Sequence, residues 1–226
     1  MYQSYSSHPS QHYATPPPTN RPQSTYQQGG YGGYQQRQSY HASTPQPPPS
    51  APKADPLWHY FSSVDKDRSG AISVTELQSA LVNGDWTRFD LDTVKMLMNM
   101  FDADRSGTIG FSEFKGLWKY IADWQGVFRH FDSDRSGSIE GRELSDALRS
   151  FGYNLSPGML TLIEHKYASQ PTVGYGPPPG ITFDRFVRAC VVVKTLTEAF
   201  QRVDTNNDGW AELSYEQFMQ IVLSAP

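Results

Sequence analysis

The sequence predicts an all-α protein built from five helix–loop–helix units, which follow a disordered tail rich in Pro, Gln, Tyr and Gly. Three observations lead to this prediction. An acidic pattern of twelve residues recurs along the chain, each copy follows an apolar run with helical spacing, and the composition changes abruptly at Asp55. The predicted tail covers residues 1–54, and the predicted folded domain covers residues 55–226.

The tail lacks the side chains that a core requires. Residues 1–54 contain no Leu, Ile, Val, Phe, Trp, Asp or Glu, and are built mainly from Pro, Gln, Ser, Tyr and Gly. Because such a segment cannot offset the entropy lost on ordering, the composition predicts disorder. The proline runs at 16–18 and 47–49 favour extended polyproline II. Two roles stay open: a docking or self-association tail that uses its tyrosines, and a solubilising tether.

The first helix is predicted at the boundary between the tail and the domain. Asp55 suits the N-cap, and Pro56 suits the first helical position. Apolar side chains at helical spacing predict helices over 56–64, 74–81, 91–101, 111–131, 141–152, 156–167 and 182–203. The range 111–131 has no proline or turn cluster inside it, so one long helix is predicted to join two loops.

The first acidic loop runs from residue 65 to residue 76. It has oxygen-bearing side chains at positions 1, 3 and 5, glycine at position 6, an aliphatic residue at position 8 and glutamate at position 12. This is the ligand order of a calcium site between two helices, because calcium takes roughly six to eight oxygens from a tightly curled loop. Gly70 permits the sharp turn. The predicted ligands are Asp65, Asp67, Ser69, the carbonyl of Ala71, and Glu76.

Two further loops repeat this order in full. The second loop begins at Asp102 and the third at Asp132, each directly after an apolar run with helical spacing. An acidic turn that binds nothing is the alternative for any one copy, but three complete copies favour calcium binding. The predicted ligands are Asp102, Asp104, Ser106, Thr108 and Glu113 in the second loop, and Asp132, Asp134, Ser136, Ser138 and Glu143 in the third.

The fourth loop is predicted to be a structural partner that binds no ion. The third loop begins at Asp132 and the last acidic loop at Asp204, an interval that fits two repeats and leaves room for a loop near Ala168. Arg185 stands where glutamate should close the ligand shell, and Ala168 replaces the first aspartate. A cation at that position would repel calcium. The sequence also carries a Gly- and Pro-rich insertion over residues 171–180.

The fifth loop matches the pattern only in its first half. Tyr215 stands at position 12, and Phe218, the next aromatic anchor, comes two residues late. We therefore expect weak calcium binding or none at this loop, with Mg²⁺ as an alternative ion. The candidate ligands are Asp204, Asn206, Asp208 and Trp210.

Loops of this kind pair through short antiparallel strands at position 8. The predicted pairs are Ile72 with Ile109, and Ile139 with Ile181. The fifth unit has no partner within the chain, which would leave a strand edge and an apolar face in water. A homodimer or heterodimer through the fifth unit is therefore predicted, and the alternative is that this face packs back on its own chain. The five units are expected to span about residues 52–87, 89–124, 119–154, 155–190 and 191–226.

Charge and cysteine content limit the partners and the compartment. The tail carries a net charge of +3 and residues 55–226 carry −7, so a nucleic-acid partner is not expected. Cys190 is the only cysteine, which favours a reducing compartment. Neither a secretory signal nor an apolar run long enough for a bilayer is evident, so we expect a cytoplasmic protein. The alternatives are the nucleus and calcium-dependent peripheral association with membranes.

Four motifs make residues 55–226 resemble a known family. They lie at 64–70, at 118–125, at 151–153 (Phe-Gly-Tyr), and at 208–217, where Asp-Gly-Trp precedes Ser-Tyr-Glu-Gln. On these motifs the chain resembles the penta-EF-hand family, whose members contain five EF-hand units, and within it the peflin and apoptosis-linked calcium sensor group. The Gly-, Pro- and Tyr-rich tail is also typical of that group.

The resemblance implies an all-helical dimer that acts as a calcium-dependent adaptor for proline-rich segments of membrane-traffic proteins. Aromatic-lined grooves suit such ligands. The alternative for the aromatic residues of the implied pocket is an ordinary core, since 118, 121 and 124 fall near one helical stripe. The pocket residues implied by the resemblance are Trp86, Trp118, Ile121, Trp124, Phe151 and Tyr215.

Two other functions stay open on the sequence. The chain could be the regulatory subunit of a calcium-dependent cysteine protease, a role that the family includes, or a passive buffer that binds calcium without changing shape. Catalysis by the chain itself is not expected. Cys190 lies in an apolar run typical of a core, and neither His130 nor His165 has an evident third partner for a nucleophilic triad.

Overall fold

The computed structural model describes residues 55–169 and 180–225. The tail over residues 1–54 and nearly all of the insertion over 171–180 lie outside these residues. The predictions made for those two segments therefore stay predictions.

The described residues form eight helices and four two-residue strands. The helices are α1 (Pro56–Val64), α2 (Val74–Ala80), α3 (Leu91–Phe101), α4 (Phe111–Phe131), α5 (Gly141–Ser150), α6 (Pro157–Tyr167), α7 (Phe183–Gln201) and α8 (Tyr215–Ser224). The strands are β1 (Ala71–Ile72), β2 (Ile109–Gly110), β3 (Ser138–Ile139) and β4 (Ile181–Thr182). The predicted all-α class is confirmed, and none of the described helices is both long and apolar enough to cross a bilayer.

Local side chains fix where the helices begin. Asp55 accepts a hydrogen bond from the Leu57 N–H at 3.0 Å, and so caps α1 as predicted. Ser73 and Glu76 form a capping box at the start of α2, in which each side chain accepts from the other residue's backbone N–H. Helix α4 continues for 21 residues, which is about 31 Å. The prediction of one long helix between the second and third loops is confirmed.

Short strands join the first four loops into two pairs. β1 pairs antiparallel with β2 so that Ile72 faces Ile109. β3 pairs antiparallel with β4 so that Ile139 faces Ile181. All four isoleucines are at most 1% exposed. Both predicted pairings are confirmed, and each pair buries its position-8 side chains between the four helices that flank the two loops.

A continuous apolar core fills the space between these helices. Trp124 of α4 is 1% exposed, and its ring contacts Phe151 and Phe186 edge to face. Such edge-to-face contacts suit the charge distribution of aromatic rings. Helix α8, by contrast, has no buried residue. Helix α8 therefore contributes no buried side chain to the described core.

A polar network ties the fourth unit to the segment between the first and second units. The Asp184 carboxylate is 1% exposed and accepts from the Asp90 N–H at 2.6 Å and from the Thr182 hydroxyl at 2.6 Å. The Asp184 N–H in turn donates to the Asn83 side-chain oxygen at 3.1 Å. Arg188 adds an ion pair to Asp90 at 3.3 Å. This network connects the two pairs of units, and no sequence pattern indicates it.

Candidate metal centres

Each of the first three loops brings its acidic residues together. In each loop, one carboxylate oxygen from each of three acidic residues lies within 4.8 Å of the others. The groups are Asp65, Asp67 and Glu76; Asp102, Asp104 and Glu113; and Asp132, Asp134 and Glu143. These are the nine carboxylates that the sequence predicted as ligands.

The remaining predicted ligands lie beside these carboxylates. The Ser69 hydroxyl donates to the Ala71 carbonyl at 2.9 Å and lies 3.4 Å from an Asp65 carboxylate oxygen. Equivalent bonds join Ser106 to the Thr108 carbonyl at 3.2 Å and Ser136 to the Ser138 carbonyl at 2.9 Å. Position 5 and position 7 thus direct their oxygens towards one point in each loop.

The first aspartate of each loop holds the turn closed. In the first loop its two oxygens accept from the N–H groups of Ser69 at 3.0 Å and Gly70 at 2.9 Å. Gly70 has a φ of 85°, a value that glycine adopts without the cost of a Cβ. Arg68 also has a positive φ, 58°, and the arginine at the same position of the next two loops does the same. This conformation at position 4 was not predicted.

The glutamate at position 12 connects the start of the loop to the start of the exit helix. One Glu76 oxygen accepts from the Lys66 N–H at 2.9 Å, and the other accepts from the Ser73 N–H at 2.9 Å. Hydrogen bonds from Ser73 lower the pKa of Glu76 to about 2. This glutamate is therefore ionised at neutral pH and already points into the loop.

The same connection is present in the second and third loops. Glu113 accepts from the N–H groups of Ala103 and Gly110, both at 2.8 Å. Glu143 accepts from the Ser133 N–H at 2.8 Å. Hydrogen bonds from Ser106 and Ser136 also hold the pKa of Asp104 and of Asp134 below the ordinary value of an aspartate.

The donor set of these three loops fits calcium. Every convergent atom is an oxygen, and hard divalent cations prefer oxygen ligands. In the third loop, the buried Oδ1 atom of Asp132 has no hydrogen-bond partner among the described residues. A buried carboxylate oxygen without a partner is costly unless a cation binds it. When bound, calcium would draw the three carboxylates and the neighbouring oxygens onto one centre.

The fourth loop holds a guanidinium where the first three loops hold a carboxylate. Nη1 of Arg185, at position 12, donates to the carbonyl of Ala168, at position 1, with a distance of 2.8 Å. The arginine thus closes the loop by itself, since its own positive charge contacts the first loop position. Because β4 pairs with β3, the described end of this loop contacts the third loop, and the absence of an ion in the fourth loop stays a prediction.

The fifth loop needs one correction. Its first half resembles the others, because the Asp204 carboxylate accepts from Asp208 at 3.2 Å and Gly209 at 3.0 Å. Its exit helix, however, begins two residues later than in the first three loops, with Ser214 as the N-cap. Gln217, not Tyr215, therefore takes the place of the terminal glutamate, and its side-chain oxygen accepts from the Ser214 N–H at 2.9 Å.

The fifth loop carries less negative charge than the first three loops. Gln217 is neutral, so the candidate ligands supply two carboxylates, Asp204 and Asp208, where each of the first three loops supplies three. The side chain of Asn206 donates to Asp208 at 2.8 Å, and Trp210 is 82% exposed. Weak binding at this loop stays a prediction, as does Mg²⁺ as its ion.

The six residues predicted for a peptide pocket differ widely in exposure among the described residues, and the pocket they would form stays a prediction. Trp124 and Phe151 belong to the core, with 1% and 9% of their surface exposed. Trp86 and Tyr215 are 85% and 79% exposed, and neither lines the groove described next. Because a helix completes one turn every 3.6 residues, the side-chain direction on α4 changes by about two thirds of a turn from position 118 to position 124. The side chains at positions 118, 121 and 124 therefore run from the surface of α4 into the core.

An apolar groove lies between α1, α2 and α4. It has a volume of about 350 Å³. Tyr60 stacks on Trp118 across it, with ring centroids 5.1 Å apart and planes at 26°. Trp118 and Ile121 were predicted as pocket residues, and both line this groove. The groove residues on α1 and α2 were not predicted, although the apolar spacing of those helices indicates which side chains share a face. The side chains that line it include Tyr60, Val64, Leu77, Leu81, Trp118 and Ile121.

Comparisons with known proteins agree with this architecture. A family described as "EF-hand domain pair" matches residues 57–119 and 121–223. Peflin of Xenopus laevis is 42% identical over 190 residues, which cover 83% of this chain and 64% of that protein. Sorcin of Homo sapiens is 36% identical over 203 residues, which cover 88% of this chain and 93% of that protein. The chain belongs to the penta-EF-hand family, in its peflin and sorcin group.

A solved structure supports the placement of this penta-EF-hand chain. It is of a homolog of programmed cell death 6 protein from Leishmania major Friedlin, with a TM-score of 0.63 and 31% identity. The alignment covers 75% of this chain and 94% of that one. The chain spans about 60–64% of the length of the peflins from Xenopus laevis, Mus musculus and Homo sapiens. EF-hand loops bind calcium, so the family agrees with calcium binding by the acidic groups of the first three loops.

Proposed function

We propose that the chain is a calcium-sensing adaptor whose groove between α1, α2 and α4 binds proline-rich segments of other proteins. The partners we expect are proteins of membrane traffic. The chain would bind them in the cytoplasm, in the nucleus, or at a membrane with which it associates when calcium is bound. The observation that carries the proposal is the position of α2. This helix leaves the first calcium loop and also forms a wall of the groove.

The link between the ion and the groove passes through Glu76. This residue lies in the first turn of α2, and Leu77 and Leu81, which follow it, line the groove. Lys66, whose N–H bonds to Glu76, lines the same groove. A calcium ion that draws the Glu76 carboxylate closer to the Asp65 and Asp67 carboxylates would therefore move the α2 wall against α1 and α4.

The chemistry of the groove suits a proline-rich ligand. Tyr60 is 49% exposed and stacks on Trp118, so the groove presents aromatic faces to solvent. Proline rings in a polyproline II helix pack on such faces, and the preformed helix loses little entropy on binding.

Calorimetry of the full chain with a synthetic proline-rich peptide tests this function. We expect binding in calcium and none in chelator. Trp118→Ala should weaken binding about 30-fold, because truncating a central aromatic anchor costs about 2 kcal/mol. Trp86→Ala is the matched control, since Trp86 is exposed but does not line the groove. Calcium uptake without any peptide binding would indicate the passive buffer instead.

The fifth unit supports a proposal about assembly. Phe218, Val222 and Leu223 of α8 are 51%, 45% and 75% exposed, and within the described residues no strand pairs with the fifth loop. We propose that this face pairs with the fifth unit of a second chain. This pairing buries the apolar side chains and joins the two fifth loops through a strand pair between the chains. The second chain is either a second copy or a related subunit, the latter being the role expected of a protease regulator.

Sedimentation equilibrium distinguishes these assemblies. The full chain should form a dimer, and Leu223→Asp should shift it to monomer. Leu162→Asp is the control, because Leu162 is also an exposed leucine, 59% accessible, but lies on α6 outside the fifth unit. A monomeric wild-type chain at all concentrations would remove the homodimer and leave the heterodimer with a related chain.

A further inference from the structure

We propose that the groove between α1, α2 and α4 is also the binding site of the chain's own proline-rich segment, residues 44–52. Its sequence is Thr-Pro-Gln-Pro-Pro-Pro-Ser-Ala-Pro. In this arrangement the segment turns back at the start of α1 and competes with proline-rich segments of other proteins. The inference rests on the proposed function, because it assigns the groove the same class of ligand.

The segment joins the domain next to the groove. Only residues 53 and 54 separate it from Asp55, the N-cap of α1, and α1 supplies Tyr60 and Val64 to the groove wall. Asp55 also forms an ion pair with Lys115 of α4 at 3.7 Å. Lys115 lies about one helical turn before Trp118 on the same side of α4. The start of α1 is therefore held within a turn of the aromatic wall.

The covalent connection is long enough to reach the stacked rings. Tyr60 follows Asp55 by a rise of about 8 Å along the helix. Residues 50–54 can span up to about 17 Å when extended. The run Pro47–Pro49 can therefore lie beside Tyr60 and Trp118 after a turn at the helix start.

The nearer of the two proline runs is favoured by its short connection. Residues 50–54 separate Pro49 from Asp55, whereas residues 19–54 separate Pro18 from Asp55. Because effective concentration falls as about the −3/2 power of linker length, the nearer run is favoured about 20-fold. The tail also carries +3 against −7 on the rest of the chain, which attracts it to the domain. The linker-length argument therefore selects residues 44–52.

The proposal predicts competition. A segment tethered by a short linker has an effective concentration of the order of 1 mM, so even a weak internal ligand reduces affinity for an external one. Replacing Pro47, Pro48 and Pro49 by serine in the full chain should therefore raise the affinity for an external proline-rich peptide about three- to tenfold. The same replacement of Pro16, Pro17 and Pro18 is the matched control and should leave that affinity unchanged.

Paramagnetic relaxation in the full chain tests the contact directly. A nitroxide attached at Thr44→Cys reacts at that position alone, because Cys190 is 1% exposed. We expect it to broaden the Trp118 indole N–H signal, and this broadening should fall in the Pro47–Pro49 serine variant but not in the Pro16–Pro18 variant. The broadening should also be independent of protein concentration, as required for contact within one chain.

Several results would overturn the inference. Equal broadening in both serine variants would do so, and so would broadening that disappears on dilution, which would place the segment in the groove of another copy. An external peptide that binds the wild type and the Pro47–Pro49 variant equally would reject the competition while leaving the proposed function intact. An external peptide that binds neither protein in calcium would reject the proposed function, and the relaxation experiment would still decide where the segment lies.

Discussion

A single carboxylate can have two structural roles in this chain. Glu76 caps the first turn of α2 and also reaches back to the Lys66 N–H at the loop entrance. A glutamine at this position could keep the capping bond, as Gln217 does in the fifth loop, but would lose the negative charge. The capping role and the ligand role can therefore be separated by one substitution.

Glu76→Gln should abolish calcium binding at the first loop with little effect on the helix. A contact between a charged group and its partner contributes up to about 3 kcal/mol, which is about 100-fold in affinity. Titration calorimetry should show the number of sites falling from three to two. Asp123→Asn, which removes a charge on α4 outside the loops, should keep all three. Three sites in Glu76→Gln would show that the first loop does not use this carboxylate.

Tyr120 gives the domain a dependence on alkaline pH. Its hydroxyl is buried and has no hydrogen-bond partner among the described residues. Burial raises the pKa of Tyr120 to about 12, although the Trp124 side chain offsets part of the effect. The unfolded chain ionises near the ordinary pKa of about 10, so stability is complete below pH 10 and is lost as the pH rises from 10 to 12.

Tyr120→Phe should remove this part of the pH dependence. A pKa difference of two units corresponds to about 3 kcal/mol, so the wild type should lose up to about that much more stability between pH 10 and pH 12 than the variant does. Urea unfolding at several pH values measures the difference. Tyr215→Phe should behave like the wild type, because Tyr215 is 79% exposed. If the free energy of unfolding changes with pH equally in the wild type and in Tyr120→Phe, the burial of an un-ionised Tyr120 hydroxyl is contradicted.

At the scale of the elements, the link between α3 and α7 depends on one buried carboxylate. Asp184 accepts from the Asp90 N–H and the Thr182 hydroxyl, and both donors would lose their partner in Asp184→Ala. Each unsatisfied buried donor costs about 1–3 kcal/mol. For two donors, we expect the free energy of unfolding to fall by about 2–6 kcal/mol.

The control for this link is an exposed aspartate of the same cluster. Asp92 pairs with Arg188 at 3.2 Å, and its side chain is 60% exposed. Exposed ion pairs contribute about 0–1 kcal/mol, so Asp92→Asn should change stability by less than that. Chemical denaturation of both variants makes the comparison. Equal losses would mean that charge, and not the buried hydrogen bonds, holds the two helices together.

The elements themselves were largely predictable because their signals are local. The N-caps at Asp55 and Ser156 and the twelve-residue spacing fixed most helix starts and both strand pairs. Helix α5 ends at Ser150, two residues before the predicted end, because Gly152 adopts a φ of 91° and closes the turn through a bond from its N–H to the Arg149 carbonyl.

The groove and the polar network could not be predicted because they join distant segments. Tyr60 lies on α1 and Trp118 on α4, with two calcium loops between them in the chain. Asp90 and Asp184 are likewise separated by four helices. No spacing rule within a helix brings such pairs together. The late start of α8 was also missed, since counting twelve residues from Asp204 gives Tyr215, whereas the capping box selects Gln217.

At the scale of the whole molecule, ions and packing stabilise the same state. The first three loops each present three carboxylates within 4.8 Å of one another, and like charges at that distance repel. A bound cation removes this repulsion in the folded chain, where the ligands are brought together, and much less in the unfolded chain. Calcium should therefore stabilise the folded state of all units that the strand pairs and the Asp184 network connect.

Chelation should lower the melting temperature of the full chain by about 15–30 °C relative to about 1 mM calcium. At a free concentration 100 times the dissociation constant, one site contributes about 2.7 kcal/mol, so three sensor-type sites near 10⁻⁵ M contribute about 8 kcal/mol. For a domain of this size, 1 kcal/mol shifts the melting temperature by about 2–4 °C. Calorimetric scans in calcium and in chelator measure the shift. The variant with glutamine in place of Glu76, Glu113 and Glu143 should melt at one temperature in both, and a calcium-dependent shift that persists there would place the stabilising ions outside these three loops.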